Sequence, residues 1–256
     1  MLLLPPPVVR ADQAVSLATP HGLAWLSLPQ VPVEVPRPVV LILPDLLGAD
    51  GRERPYADLL LRAGIAVLTV GVEDAGPAMS LLDPAVLRDI VRRIAPGRLD
   101  TSRIGLLGFG GGGRAALASP AELPVAALYP SCAGLAPMDR TAATLLLYPD
   151  DPAEEAACRQ VTPFAQAMEG AAHGWDHGQG PWVNRVSMMP HPDGSGARIL
   201  ARGDHWATEE AAGRVLRHFA AAFGQAAVPI RPSQGASHAA ARPGAGIPAG
   251  DVRPRR

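Results

Sequence analysis

Lysine is missing from this chain altogether, and cysteine, aromatic residues and long apolar runs are scarce. All 23 basic residues are arginines, set against 24 acidic ones, for a formal net charge of −1. A balance so close to zero gives nucleic acid or an anionic membrane no general attraction. No segment reaches the roughly 18 apolar residues that a membrane span needs. Residues 1–7 are apolar but carry no basic leader, so no export signal is expected there. Two cysteines, Cys132 and Cys158, are too few for a disulfide framework or a cysteine-based zinc site. The expectation is a reduced, cytoplasmic protein. With aromatics at 4%, the core must come from Leu, Val, Ile and Ala. Hydrophobic content of 48% over 256 residues is ample for one compact domain.

What is present alternates between two periods. Residues 15–19 and 23–28 flank Pro20-His21-Gly22 and read as an N-terminal hairpin. Continuous apolar runs at 39–43, 65–70, 103–109, 125–129 and 144–148 read as strands buried on both faces of a parallel sheet. Helical spacing marks 55–62, 84–94, 111–118, 154–160 and 208–223, and 164–168 suits a last short strand. Asp83 before Pro84 is a helix start, a capping side chain followed by proline in the first turn. Strands alternating with helices predict an α/β fold, a mainly parallel sheet covered by helices on both faces. The division expected is a hairpin and lead-in at 1–30, one domain at 31–224, and a disordered tail at 225–256 rich in Pro, Gly, Ala and Arg. Within the domain, 176–206 is a long insertion of the kind that forms lids. Asp193-Gly194-Ser195-Gly196 would turn a hairpin there, with arms at 186–189 and 197–200.

The most informative string runs from Ile104 to Arg114, a buried strand entering Gly108-Phe109-Gly110-Gly111-Gly112 and leaving as a helix. In a nucleophile elbow, Gly-x-Ser-x-Gly, a strained turn projects the reactive side chain above the sheet. Here Gly108 and Gly112 hold the glycine positions, and Gly110 stands where the nucleophile would be. The string also fits Gly-x-Gly-x-x-Gly, a phosphate cradle. That fingerprint wants an acidic residue roughly 20 positions on. Pro130-Ser131-Cys132 occupy that region, with no carboxylate. A glycine turn with no ligand is the third reading.

Taken in order, the 38–64 stretch, the elbow, Tyr129-Pro130-Ser131-Cys132, the segment Gly170-Ala171-Ala172-His173-Gly174-Trp175-Asp176, and the 207–223 helix resemble the dienelactone hydrolases. The resemblance spans most of residues 38–223. It implies a single α/β-hydrolase domain that cleaves a small ester or lactone without metal or organic cofactor. Family members use a Cys or Ser nucleophile, an Asp and a His. Carried over by position, the histidine is His173, with His177 and His205 ranked behind it. The acid is Asp150 or its neighbour Asp151, either of which also suits the start of the helix after Pro152. The oxyanion donors are the backbone amides of Leu46 and Gly111, and Asp45 matches an acidic pocket position.

Gly110 has no side chain and cannot form an acyl-enzyme. Three readings follow. The chain keeps the pocket as a binding relative, a pseudoenzyme for an ester, lactone or carboxylate. Or His173 with Asp150 activates water. Or the nucleophile has moved, with Ser131 and Cys132 the nearest candidates by motif.

Overall fold

The computed structural model describes residues 11–16, 23–29, 35–71, 83–119, 122–139, 143–177 and 186–225. The expected hairpin turn at Pro20-His21-Gly22, residues 178–185 of the insertion and all but the first residue of the tail lie outside the described residues.

The sheet forms around the apolar runs. Strand β3 (Arg37–Leu43) lies parallel between β4 (Ala66–Val70) and β5 (Leu99–Phe109). Beyond β5, in parallel order, come β6 (Val125–Leu128), β7 (Thr144–Pro149) and the short β8 (Gln166–Met168). On the other side β2 (Leu23–Leu28) pairs antiparallel with β4, and β1 (Ala11–Ser16) pairs antiparallel with β2. The eight strands therefore run β1-β2-β4-β3-β5-β6-β7-β8.

Strand side chains alternate faces, and here both faces are core. Val39, Leu41 and Leu43 of β3 pack with Leu87, Ile90 and Val91 of α2 (Pro84–Ile94). Val40 and Ile42 face the opposite layer, against Tyr56 and Leu60 of α1 (Arg54–Arg62) and Val215 and Phe219 of α5 (His205–Ala222). Helix α3 (Gly111–Ala118) and α4 (Pro152–Val161) join the first layer through Ala116, Leu117, Cys158 and Val161. Helices on both faces of a mainly parallel sheet are what the sequence predicts.

Boundaries follow local chemistry. Asp83 accepts hydrogen bonds from the amides of Ala85 and Val86 and so starts α2. Asp151 does the same for α4, bonding Ala153 and Glu154. Asp204 accepts from Ala207, which starts α5 at His205 rather than near residue 208. The insertion's arms are β9 (Val186–Pro190) and β10 (Arg198–Arg202), an antiparallel pair separate from the main sheet. It seats on the domain through buried Met189 and Ala201 and through the Arg202 amide, which donates to the His173 carbonyl at 3.1 Å.

The cysteines correct the sequence reading. Cys132, just past β6, and Cys158, inside α4, form a disulfide across 26 residues of chain. A single pair at that separation follows no spacing pattern, and the sheet and α4 bring the two together only in the fold. Among the described residues, no helix is long and apolar enough to cross a membrane.

Closing a loop of this length by a disulfide contributes about 2–4 kcal/mol. Urea unfolding of Cys158→Ser, or of wild type with reductant, should lose that amount, and unchanged stability would remove the bridge from the account.

Candidate active site

Strand β5 delivers the chain to Gly110, whose backbone sits at φ 49°, ψ −114°. L-residues rarely hold such a conformation, and the cost without glycine is about 1–3 kcal/mol. The flanking positions are more constrained still. A Cβ on Gly108 would stand 2.2 Å from the Gly112 carbonyl oxygen, and one on Gly112 would stand 2.3 Å from the carbonyls of Leu43 and Pro44. The turn therefore exists only with glycine at both sites, and it wedges the start of α3 against the end of β3. A Cβ on Gly110 would meet Asp45 Cβ at 3.1 Å and the Pro192 ring at 3.7 Å. The 191–197 turn of the β9–β10 hairpin thus covers the spot where a nucleophile would rise.

Charge collects beside the elbow. Asp45 is buried between the Leu47 amide, which donates to it at 2.8 Å, and the guanidinium of Arg52, at 2.6 Å. Arg52 is itself only 4% exposed and makes a two-pronged contact with Asp50, at 2.8 and 2.6 Å. Burial pushes the Asp45 carboxyl up, partly offset by Arg52. Asp50 lies below its usual range, because its bonds to Arg52 outweigh the burial that would raise it. Arg52 escaped the sequence reading, since no helical spacing links it to its partners.

Beneath these groups lies Asp176, with no exposure. Its two oxygens accept from Tyr56 Oη at 2.8 Å and Tyr129 Oη at 2.5 Å. Trp175 Nε1 donates in turn to Tyr56 Oη at 3.1 Å. Burial raises the Asp176 carboxyl to about 6, against the lowering pull of Arg52 and the two tyrosines.

His173 is buried edge-on against Tyr129, with ring centroids 4.9 Å apart. Burial, then Arg52, then the nearby His191 hold its pKa down to about 3. An imidazole held that low is neutral at pH 7 and a weak base. Among the described residues no carboxylate bonds to its ring. Asp150 instead accepts from the Gly170 amide at 2.9 Å, and Asp151 serves as the α4 cap. His177 lies 3.5 Å from Arg52 Nη2, and His205 pairs with Glu209 on the outer face of α5. Leu46 and Gly111 stand side by side, since a Cβ on Gly111 would touch the Leu46 side chain at 3.1 Å. The Gly111 amide opens α3, where first-turn N–H groups have no intrahelical acceptor.

The hairpin turn brings in residues that sequence order could not connect. His191 Nδ1 lies 2.7 Å from Asp193 Oδ1, and its Nε2 lies 3.3 Å from Ser131 Oγ. Ser131 also donates to Glu154 Oε1 at 3.0 Å, while Glu154 Oε2 accepts the Cys132 amide at 3.2 Å. The sulfurs of Cys132 and Cys158 and the Glu154 carboxylate lie within 4.8 Å of one another. Both sulfurs are committed to the disulfide, so neither offers a thiolate to a metal or a substrate. Tyr129 and Ser131 both have positive φ, 39° and 51°, rare for residues with side chains.

Asp176 sets a pH test. A buried acid whose pKa rises from 3.8 to about 6 gives stability that is full below 3.8 and lost as pH climbs through 6. Between pH 4 and 7 that loss is on the order of 3 kcal/mol. Urea unfolding at the two pH values should show a drop in wild type that is much smaller in Asp176→Asn. Equal drops in both would place the titration elsewhere.

No protein-family model matches the chain, and no curated protein matches it either. Solved structures do. One is a candidate dienelactone hydrolase from Klebsiella pneumoniae subsp. pneumoniae MGH 78578, at TM-score 0.57 and 17% identity over 83% of this chain and 99% of that one. Another is a dienelactone hydrolase-like promiscuous phosphotriesterase from metagenomic libraries, at TM-score 0.54 and 17% identity over 84% and 98%. At such identity the likeness speaks for architecture alone, and with the strand order and the elbow it shows that this chain has the α/β-hydrolase fold.

Proposed function

We propose that this chain acts on a small carboxylic ester or lactone through a hydrolase frame whose elbow no longer supplies the nucleophile. The observation that carries the reading is Gly110, held at φ 49° in an elbow whose flanking glycines are sterically obligatory. Glycine holds that conformation without the penalty a side chain would incur, so the backbone frame of the elbow stands although the nucleophile is gone. Oxyanion stabilisation needs only backbone amides, and the adjacent Leu46 and Gly111 offer them without particular side chains. Pro192 and Asp45 crowd the space above Gly110, which favours a small ligand. Of the similar structures, one carries the name of a dienelactone hydrolase, which supports the lactone class, and the other that of a dienelactone hydrolase-like phosphotriesterase.

The second reading is a non-catalytic binding or interaction protein on this frame. It draws on Pro192 standing over Gly110 and on a weakly basic His173 that bonds no carboxylate among the described residues. Cytoplasmic residence, expected from reduced thiols, loses that support once Cys132 and Cys158 pair, because disulfides persist mainly in oxidising compartments.

Hydrolysis of p-nitrophenyl acetate by wild type and Gly110→Ser separates the readings. The hydrolase reading expects slow wild-type turnover, within the roughly 10³–10⁴-fold over water that a site lacking its elbow nucleophile retains. Silence in wild type with activity in Gly110→Ser would favour the binding protein. Silence in both, with both folded, would sink the ester assignment.

A further inference from the structure

If esters are the substrates, the chain still needs an attacking group, and the structure holds one assembled away from the elbow. Ser131 follows β6, at the same carboxyl edge of the parallel sheet where β5 delivers Gly110, and ligands of open α/β sheets bind along that edge. Its backbone is held at φ 51°, a strained conformation for a serine, and such strain gathers at functional sites. Three contacts fix it there. Arg114 Nη1 donates to the Ser131 carbonyl and to that of Ala133, and the disulfide ties the next residue, Cys132, to α4.

A nucleophile–base–orienter constellation is recognised by geometry and roles, and its members recur in several chain orders. His191 has the partners that His173 lacks. Asp193 Oδ1, at 2.7 Å from Nδ1, selects the tautomer that leaves Nε2 free to accept from Ser131 Oγ at 3.3 Å. The Asp193 amide also points at Nδ1, but from 3.4 Å, so the carboxylate contact governs. Asp193 stays ionised across the neutral range, because Ser195 and then His191 hold it at about 2. The single Ser131 proton has two acceptors, Glu154 Oε1 at 3.0 Å and His191 Nε2 at 3.3 Å, and the relay uses the transfer to His191.

We infer that Ser131, His191 and Asp193 form a relocated acyl-transfer relay for small esters, an inference that rests on the ester reading above. Ser131 Oγ adds to the ester carbonyl carbon as its proton passes to His191 Nε2. The tetrahedral adduct expels the alcohol, which leaves with that proton. Water then adds to the acyl-Ser131, giving a proton to His191, and collapse releases the carboxylic acid and returns the proton to Ser131. Asp193 is the positioning residue, holding the ring and stabilising its charged form. Ser131 is 2% exposed under the hairpin, so ester entry requires the turn to lift, and its return brings His191 back into reach.

The test uses a small fluorophosphonate on the full wild-type chain without reductant, followed by mass mapping of residues 115–140 after digestion. The expected result is one label per chain, on Ser131, with fluoride released. His191→Ala should slow labelling by about 10²-fold or more, and Asp193→Asn should slow it and shift its pH profile. A serine that merely latches the hairpin would stay unlabelled in wild type, whatever the variants do. Ester turnover without label on Ser131 overturns the relay and leaves the ester reading standing. Label on Ser131 without ester turnover supports the relay and overturns that reading. Neither label nor turnover overturns both.

Discussion

The backbone contact between the end of β3 and the start of α3 governs the rest of the structure. Gly112 sits so close to the carbonyls of Leu43 and Pro44 that a single methyl would stand 2.3 Å from them. Gly108 presses as closely on Gly112 from the strand side. With those two approaches made, β5 must turn sharply at Gly110, α3 must begin beside β3, and Leu46 must come to rest against Gly111. The carboxyl edge of the sheet lies beside this turn. Asp45, Arg52 and His173 flank it, and the β9–β10 hairpin roofs it.

The charges at this edge are paired. Arg52 and Asp45 are both buried and lie 2.6 Å apart, and breaking a buried pair by removing one partner typically costs about 3–5 kcal/mol. Arg52 therefore reads as the ion that makes the local carboxylates tolerable, and it adds to the burial that keeps His173 neutral. His173 is thereby weakened as a base. His191, on the hairpin, carries the carboxylate contact instead. Of the two histidines, the one with a carboxylate contact thus lies on the hairpin rather than in the loop after β8.

Much of this was legible in the order of residues. The buried strands, the glycine-rich turn and the α2 cap at Asp83 follow from apolar runs, spacing and local capping rules, and the helices on both faces follow from alternation. The hairpin was legible too, because Asp193-Gly194-Ser195-Gly196 is strong turn chemistry. The disulfide, the Arg52 cluster and the Ser131–His191 contact were not. Each joins residues whose proximity depends on strand order and on where the insertion folds back, and no period or spacing encodes that. Asp150 and Asp151 were inseparable by sequence. In the structure one caps α4 and the other holds the Gly170 amide.

The elbow is kept while Asp45 Cβ, 3.1 Å from where a Cβ on Gly110 would stand, and the Pro192 ring, at 3.7 Å, close over the place where its side chain would rise. A double-mutant cycle tests this most directly, measuring stability for Gly110→Ser and Pro192→Gly, singly and together. Backbone strain at position 110 persists in either background, whereas the crowding of the serine hydroxyl by the proline ring does not. The account predicts that Gly110→Ser costs less in the Pro192→Gly background, by about 0.5 kcal/mol or more. Strict additivity would contradict it, and would mean that the hairpin does not close over the elbow.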